Sequence, residues 1–136
     1  MNEKTKPIYN WSSPLLPGTI VCASYEDFEG IKRVGIFCIL YDEQLDGSIS
    51  EKRNVIACKV SSQVTLAADY SCMVSVQRNT FFDKPCMICT SKVRVLDKVK
   101  NVYKILGQLD SYTFARVVKT YIKFSNEVSR QLLDRI

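Results

Sequence analysis

Residues 34–41 read VGIFCILY, eight successive positions without a charged side chain. A strand with one solvated face alternates apolar and polar residues, so an unbroken apolar run of this length predicts a strand buried on both faces. Such a strand needs neighbours on either side. A chain of 136 residues, 46% of them hydrophobic, has room for one compact domain with one core. The sequence therefore predicts a single small sheet domain built around this central strand.

Further short β-branched runs predict strands at residues 19–24, 54–60, about 71–77 and 86–95, with a loop at residues 42–52. From Ser111 the apolar residues recur at helical spacing, which predicts a terminal helix capped by Asp110 or Ser111. Gly107 is predicted to end the element before it. This order indicates a mainly β barrel with helices attached, or an α+β domain.

Residues 1–16 are predicted to be an N-terminal arm, because their prolines oppose a helix, and residues 17–136 to be the single domain. We expect Trp11 and the leucines at 15 and 16 to lie against that domain. No segment approaches the roughly 20 apolar residues that cross a bilayer, so we expect a cytoplasmic protein without a membrane partner.

Histidine is absent from the sequence, which removes the commonest general acid/base and the commonest metal ligand. Catalysis would have to use arginine, hydroxyl, carboxylate, lysine or thiol groups. Five of the six cysteines lie in apolar runs and are interpreted as small core residues. Cys86 and Cys89 have C-x-x-C spacing, but no second pair or histidine completes a zinc site. We expect no metal and no cofactor.

The positive charge is concentrated in residues 91–136, which hold ten Lys/Arg against four Asp/Glu. This distribution suits contact with phosphates or with an acidic protein partner. A helix with solvated lysines gives the same count, so both interpretations stay open.

Several segments together resemble one known family. Pro17 to Cys22 read PGTIVC, residues 32–37 read KRVGIF, and residues 55–62 read VIACKVSS; VLDK at 95–98 and ILGQL at 105–109 follow. In this order and spacing they are similar to the MazF/PemK family of toxin endoribonucleases, from residue 17 to about residue 122. Val34 and Ser61 stand where the family has proline and threonine, and Thr19 where it usually has an acidic residue.

The resemblance implies a small SH3-like barrel of the CcdB/MazF type with a C-terminal helix. It also implies a toxin-like, metal-independent, sequence-selective endoribonuclease that cuts single-stranded mRNA, a cognate antitoxin, and a homodimer. RNA can be cut without metal when its own 2′-hydroxyl attacks phosphorus, which leaves a 2′,3′-cyclic phosphate. Arg33 and Ser61 are the catalytic residues that the family pattern implies, because a guanidinium and a hydroxyl can both donate to a phosphate.

The loop at residues 25–32 is the predicted reader of RNA sequence, since unpaired bases stack on aromatic rings. Its three acidic residues would repel phosphates. The predicted RNA-binding residues are Tyr25, Phe28, Lys32, Lys59, Ser62 and Arg78.

Two other functions remain open. The departures at Val34 and Ser61 allow a catalytically inactive barrel that binds protein or nucleic acid. An SH3-like adaptor would need an exposed aromatic groove, which Trp11, Tyr25 and Phe28 could supply. A gyrase-poisoning toxin of this fold is disfavoured, because residues 132–136 lack the tryptophan of that family's tail.

Overall fold

The computed structural model describes residues 13–46, 53–62 and 72–135. These residues form one six-stranded antiparallel sheet with the strand order β4-β5-β3-β2-β1-β6, followed by one long helix. The elements are β1 (Thr19–Glu26), β2 (Lys32–Asp42), a short 3-10 helix (Glu43–Asp46), β3 (Asn54–Ser61), β4 (Met73–Val76), β5 (Cys86–Asp97), β6 (Val102–Gln108) and α1 (Ser111–Asp134).

All five predicted strands are present, and the apolar run occupies the centre of the sheet as predicted. β2 pairs with β1 on one side and with β3 on the other. Phe37, Cys38 and Ile39 are completely buried because both of their faces are covered. The predicted mainly β, α+β fold class is confirmed.

The prediction that Gly107 ends an element is wrong, because Gly107 lies inside β6, a sixth strand that the sequence did not reveal. Ile20 pairs with Gly107 across the β1–β6 ladder. The aromatic ring of Phe81 packs where a Cβ of residue 107 would stand, with its Cγ 2.7 Å and its Cε1 3.0 Å from that position. The glycine is thus explained by close packing within a strand.

Successive residues of β1 and β2 contribute to two different cores, as the two-residue period of a strand requires. Ile20 and Cys38 belong to a cluster that includes Val117 of α1. Val21 and Phe37 belong to a second cluster, against which Tyr25 packs. All six cysteines are free thiols. Five are buried, as expected for small core residues, whereas Cys22, which also lies in an apolar run, is only partly buried.

α1 begins at the predicted cap: the Asp110 carboxylate accepts a hydrogen bond from the backbone N–H of Thr113 at 2.9 Å. The helix buries Val117 in the first core cluster, while Ile122, Leu132 and Leu133 are exposed. None of the helices in the described residues is long and apolar enough to span a membrane.

A completely buried ion pair joins the segment before β1 to the domain. The ammonium of Lys98 lies 2.7 Å from Asp42 Oδ2, which also accepts the backbone N–H of Leu15 at 2.7 Å. Leu15 is buried as expected, whereas Leu16 is 61% exposed and does not pack as expected. Trp11 and most of the predicted arm lie outside the described residues, so the boundary at residue 16 stays a prediction.

Candidate functional site

The turn between β1 and β2 holds Arg33 in a fixed position. Asp27 Oδ1 accepts the backbone N–H groups of Glu29 and Ile31 at 2.9 and 3.0 Å. Asp27 Oδ2 accepts Arg33 Nε at 2.6 Å. Gly30 closes the turn at φ +79°, a conformation that favours glycine. One carboxylate therefore shapes the turn and orients the guanidinium.

The Asp27–Arg33 bond leaves part of the guanidinium available. Arg33 is 54% exposed at its side chain and Asp27 is 18% exposed. The two terminal Nη groups of Arg33 make no hydrogen bond to another described residue. The hydrogen bond from Arg33, together with backbone N–H donors, lowers the pKa of Asp27, so this carboxyl is ionised at neutral pH. Arg33 can thus donate its Nη groups to an anion while Nε stays bound to Asp27.

Tyr25 lies at the centre of a group of cations and aromatic rings. The Lys59 ammonium is 5.1 Å from the centroid of the Tyr25 ring, and the Arg94 guanidinium is 4.7 Å from it. Arg94 also lies 5.9 Å from the Phe28 ring and donates to the backbone oxygen of Glu26 at 2.7 Å. Phe28 is fully exposed. Cation–π contacts of this kind hold the charged groups without neutralising them.

These side chains surround a cavity of about 630 Å³. Its lining carries four cationic side chains and one carboxylate, so the cavity is positively charged. The rings of Tyr25 and Phe28 give it apolar surface as well. A cavity with fixed cations beside an exposed ring suits a ligand that combines phosphate with a planar base. The cationic residues are Arg33, Lys59, Lys92 and Arg94, and the carboxylate is Asp27.

A second cavity, of about 290 Å³, adjoins the first and contains Ser61 and Ser62. Ser61 is the last residue of β3. β3 lies next to β2, as the pairing of Val60 with Ile36 shows. Ser61 thus lies on the strand next to that of Arg33, but the two residues line different cavities, so the role of Ser61 beside Arg33 stays a prediction. Lys59 lines both of them.

The remaining predicted residues are separated. Lys32 lines a third cavity of about 570 Å³ together with Lys100 and Asn101. Arg78 follows β4 and lines none of these three cavities, so the structure does not bring it to the others. Tyr25, Phe28 and Lys59 line the same cavity as Arg33.

Three charged residues of the site, Asp27, Lys92 and Arg94, were missed by sequence reasoning. Asp27 was counted only as an acid that repels phosphates, yet it orients Arg33. Arg94 was not proposed at all, although the alternation of Lys92, Val93, Arg94 and Val95 marks a strand with one charged face. That alternation could have identified Arg94 as a surface cation, but not its place beside Tyr25.

Two kinds of chemical group remain, possible metal ligands and the buried thiols of the core. No group of three or more His, Cys, Asp or Glu side chains in the described residues is arranged to hold a metal ion. Burial raises the pKa of the Cys38 and Cys58 thiols to about 12, which keeps them protonated and unreactive at neutral pH.

Within the residues that the structure describes, six antiparallel strands and one C-terminal helix form a small mainly β fold similar to the MazF fold. In particular, the structure is similar to that of the Mycobacterium tuberculosis toxin MazF-mt6, with a TM-score of 0.54 and 11% sequence identity. The match covers 74% of this chain and 91% of the toxin chain. No protein-family model matches the sequence, and no curated protein matches it either. The likeness therefore concerns the fold.

Proposed function

We propose that this protein is a toxin-like, metal-independent endoribonuclease that cuts single-stranded RNA at selected sequences and leaves 2′,3′-cyclic phosphate ends. The observation that carries this proposal is the cavity that Arg33 lines together with Lys59 and Arg94, which lie over the ring of Tyr25, next to the exposed ring of Phe28. The fold supports it, because the similar structure MazF-mt6 is a toxin.

Arg33 is the proposed catalytic guanidinium. Attack of the RNA 2′-oxygen on phosphorus places additional negative charge on the phosphate oxygens. A charged donor that is already oriented stabilises that charge without reorganising. Asp27 provides the orientation, and the Nη groups of Arg33 provide the donors. Ser61, in the adjoining cavity, is the proposed second donor through its hydroxyl.

We assign the selectivity for RNA sequence to the β1–β2 turn together with Arg94 of β5. Phe28 presents a fully exposed ring, and Arg94 presents a planar guanidinium close to it. Both planes can stack on an unpaired base. Lys32, Lys59 and Ser62 are proposed phosphate or sugar contacts, and Arg78 is a proposed contact of a longer RNA outside the cavities.

The proposed partners are single-stranded mRNA, a second copy of the chain, and an antitoxin whose acidic segment occupies the positively charged cavity. We propose that these interactions take place in the cytoplasm. The dimer is tested by light scattering at micromolar concentration, where the mass of a single chain would contradict it.

The cleavage experiment uses a long single-stranded RNA in EDTA, with mapping of the cut ends and detection of 2′,3′-cyclic phosphate. Wild-type protein should cut at a short recurring motif, and Arg33→Ala should lose the cuts. Arg116→Ala, which removes an exposed arginine on α1, is the matched control and should cut like the wild type. RNA that stays intact at high protein concentration would favour the alternative, an inactive barrel that binds protein or nucleic acid.

A further inference from the structure

RNA cleavage by internal attack needs a proton for the leaving 5′-oxygen, and Arg33 cannot supply it because a guanidinium does not release its proton in a protein. Arg94 is excluded for the same reason. Asp27 is ionised, since the Arg33 hydrogen bond lowers its pKa, and has no proton to give. The Ser91 hydroxyl also lines the cavity, but an alcohol is no stronger an acid than the alcohol that leaves. The cavity then offers Tyr25, Lys59 and Lys92 as the side chains that carry a readily transferable proton.

Lys59 occupies a position that sets it apart from Lys92. Its ammonium lies 5.1 Å from the ring centroid of Tyr25 and 5.3 Å from that of Phe37, and its side chain is half-buried. No carboxylate among the described residues pairs with it. Lys92 is exposed and makes no such ring contact within the part of the chain described here.

The backbone opposite makes room for this ammonium. A Cβ at position 35 would collide with Lys59 Nζ and would stand 3.3 Å from Lys59 Cε. Glycine at position 35 therefore lets the lysine lie across β2. In that place Lys59 lines both the cavity of Arg33 and the cavity of Ser61, so its side chain is shared by the two cavities that hold the proposed phosphate donors.

We propose that Lys59 is a catalytic residue that protonates the leaving 5′-oxygen, an inference that rests on the proposed endoribonuclease function. The 2′-oxygen forms a bond to phosphorus and loses its proton to water. The bond from phosphorus to the 5′-oxygen breaks, its electron pair stays on that oxygen, and the Lys59 ammonium gives it a proton. The neutral amine then takes a proton from water, so the enzyme is restored and the RNA is only rearranged and divided.

The test compares two short RNAs built around a mapped cut site, one with the natural 5′-oxygen at the scissile bond and one with sulfur in its place. A thiolate leaves without protonation, so loss of the proton donor matters only for the oxygen substrate. Lys59→Gln should cut the oxygen RNA roughly 10²- to 10⁴-fold more slowly, the range of general acid catalysis, and the sulfur RNA near the wild-type rate.

Lys59→Arg should show the same pattern, because it keeps the charge but holds its proton. Arg33→Ala should be slow on both RNAs, and Lys119→Gln, an exposed lysine of α1, should match the wild type on both. Circular dichroism of each variant checks that the fold is intact.

Equal slowing of Lys59→Gln on both substrates would overturn the inference, because Lys59 would then act only through its charge or its packing. Undiminished cutting of the oxygen RNA by Lys59→Gln would overturn it too. If Tyr25→Phe is rescued by sulfur and Lys59→Gln is not, the proton comes from Tyr25. Failure of the wild-type protein to cut either RNA removes the proposed function itself, which is a different result from a failure at Lys59.

Discussion

Replacing Gly35 by alanine should move one ammonium group while leaving the fold intact. The new methyl group would collide with Lys59 Nζ and lie 3.2 Å from Tyr25 Cε1. The backbone at position 35 has no positive φ, so alanine fits its conformation. Because Nζ ends a flexible chain, the lysine yields before the strand does.

The expected stability change is small. Alanine in a strand gains about 0.5–1 kcal/mol over glycine, and weakening the cation–π contacts of Lys59 costs about 0.5–1 kcal/mol. These terms nearly cancel. Restoring ordinary van der Waals contact moves Nζ by roughly 1 Å, a misplacement that can reduce a catalysed rate about 10²-fold. A tenfold rate change corresponds to about 1.4 kcal/mol, so the barrier should rise by about 2.7 kcal/mol.

Thermal unfolding and single-turnover RNA cleavage on the same samples separate the two effects. Gly107→Ala is the matched control, because its Cβ would meet the packed ring of Phe81 instead. That variant should lose about 1–3 kcal/mol of stability through overpacking and keep its cleavage rate per folded molecule. If Gly35→Ala cuts RNA at the wild-type rate, or unfolds as readily as Gly107→Ala, the reasoning is refuted.

Three further predictions concern charged groups. Asp42→Ala removes the carboxylate paired with the buried Lys98 ammonium, which keeps the oxygens of Gln44 and Ser13 as neutral hydrogen-bond partners. The free energy of unfolding should fall by about 3–5 kcal/mol in urea titration, and a loss below about 1 kcal/mol would contradict this. Asp27 has a lowered pKa in the folded state, so its stabilising bond to Arg33 is present above the ordinary aspartate pKa and is lost as pH falls through the folded value. The difference between the unfolding curves of wild type and Asp27→Asn should therefore be largest at pH 7, begin to shrink as pH falls below about 4, the ordinary aspartate value, and disappear only below the folded pKa; a constant difference would exclude this. Lys32→Gln, at an exposed proposed phosphate contact, should weaken RNA binding and reduce the slope of log affinity against log salt by about 0.7, as expected for one phosphate contact on a single strand, and an unchanged slope in fluorescence anisotropy would argue against such a contact.

Local sequence patterns predicted much of the fold. The apolar run at residues 34–41 predicted a central strand, and β-branched runs predicted four others, because a two-residue period reports burial on strand faces. The change to helical spacing at Ser111, with Asp110 before it, predicted α1 and its cap. β6 was missed because its sequence, VYKILGQ, is half exposed, and it becomes a strand by pairing with β1.

The sequence by itself identified Arg33, Tyr25, Phe28 and Lys59 as candidates, and the absence of histidine limited the chemistry open to them. Which side chains meet was decided by the tertiary structure. A bulge after Cys58 pairs Cys58 with Val93 but Lys59 with Cys89, so residues 90–92 leave the ladder. Such a shift depends on contacts between distant segments, and no local period encodes it. That register, together with the Asp27 turn, places Arg94 and Lys59 around one tyrosine.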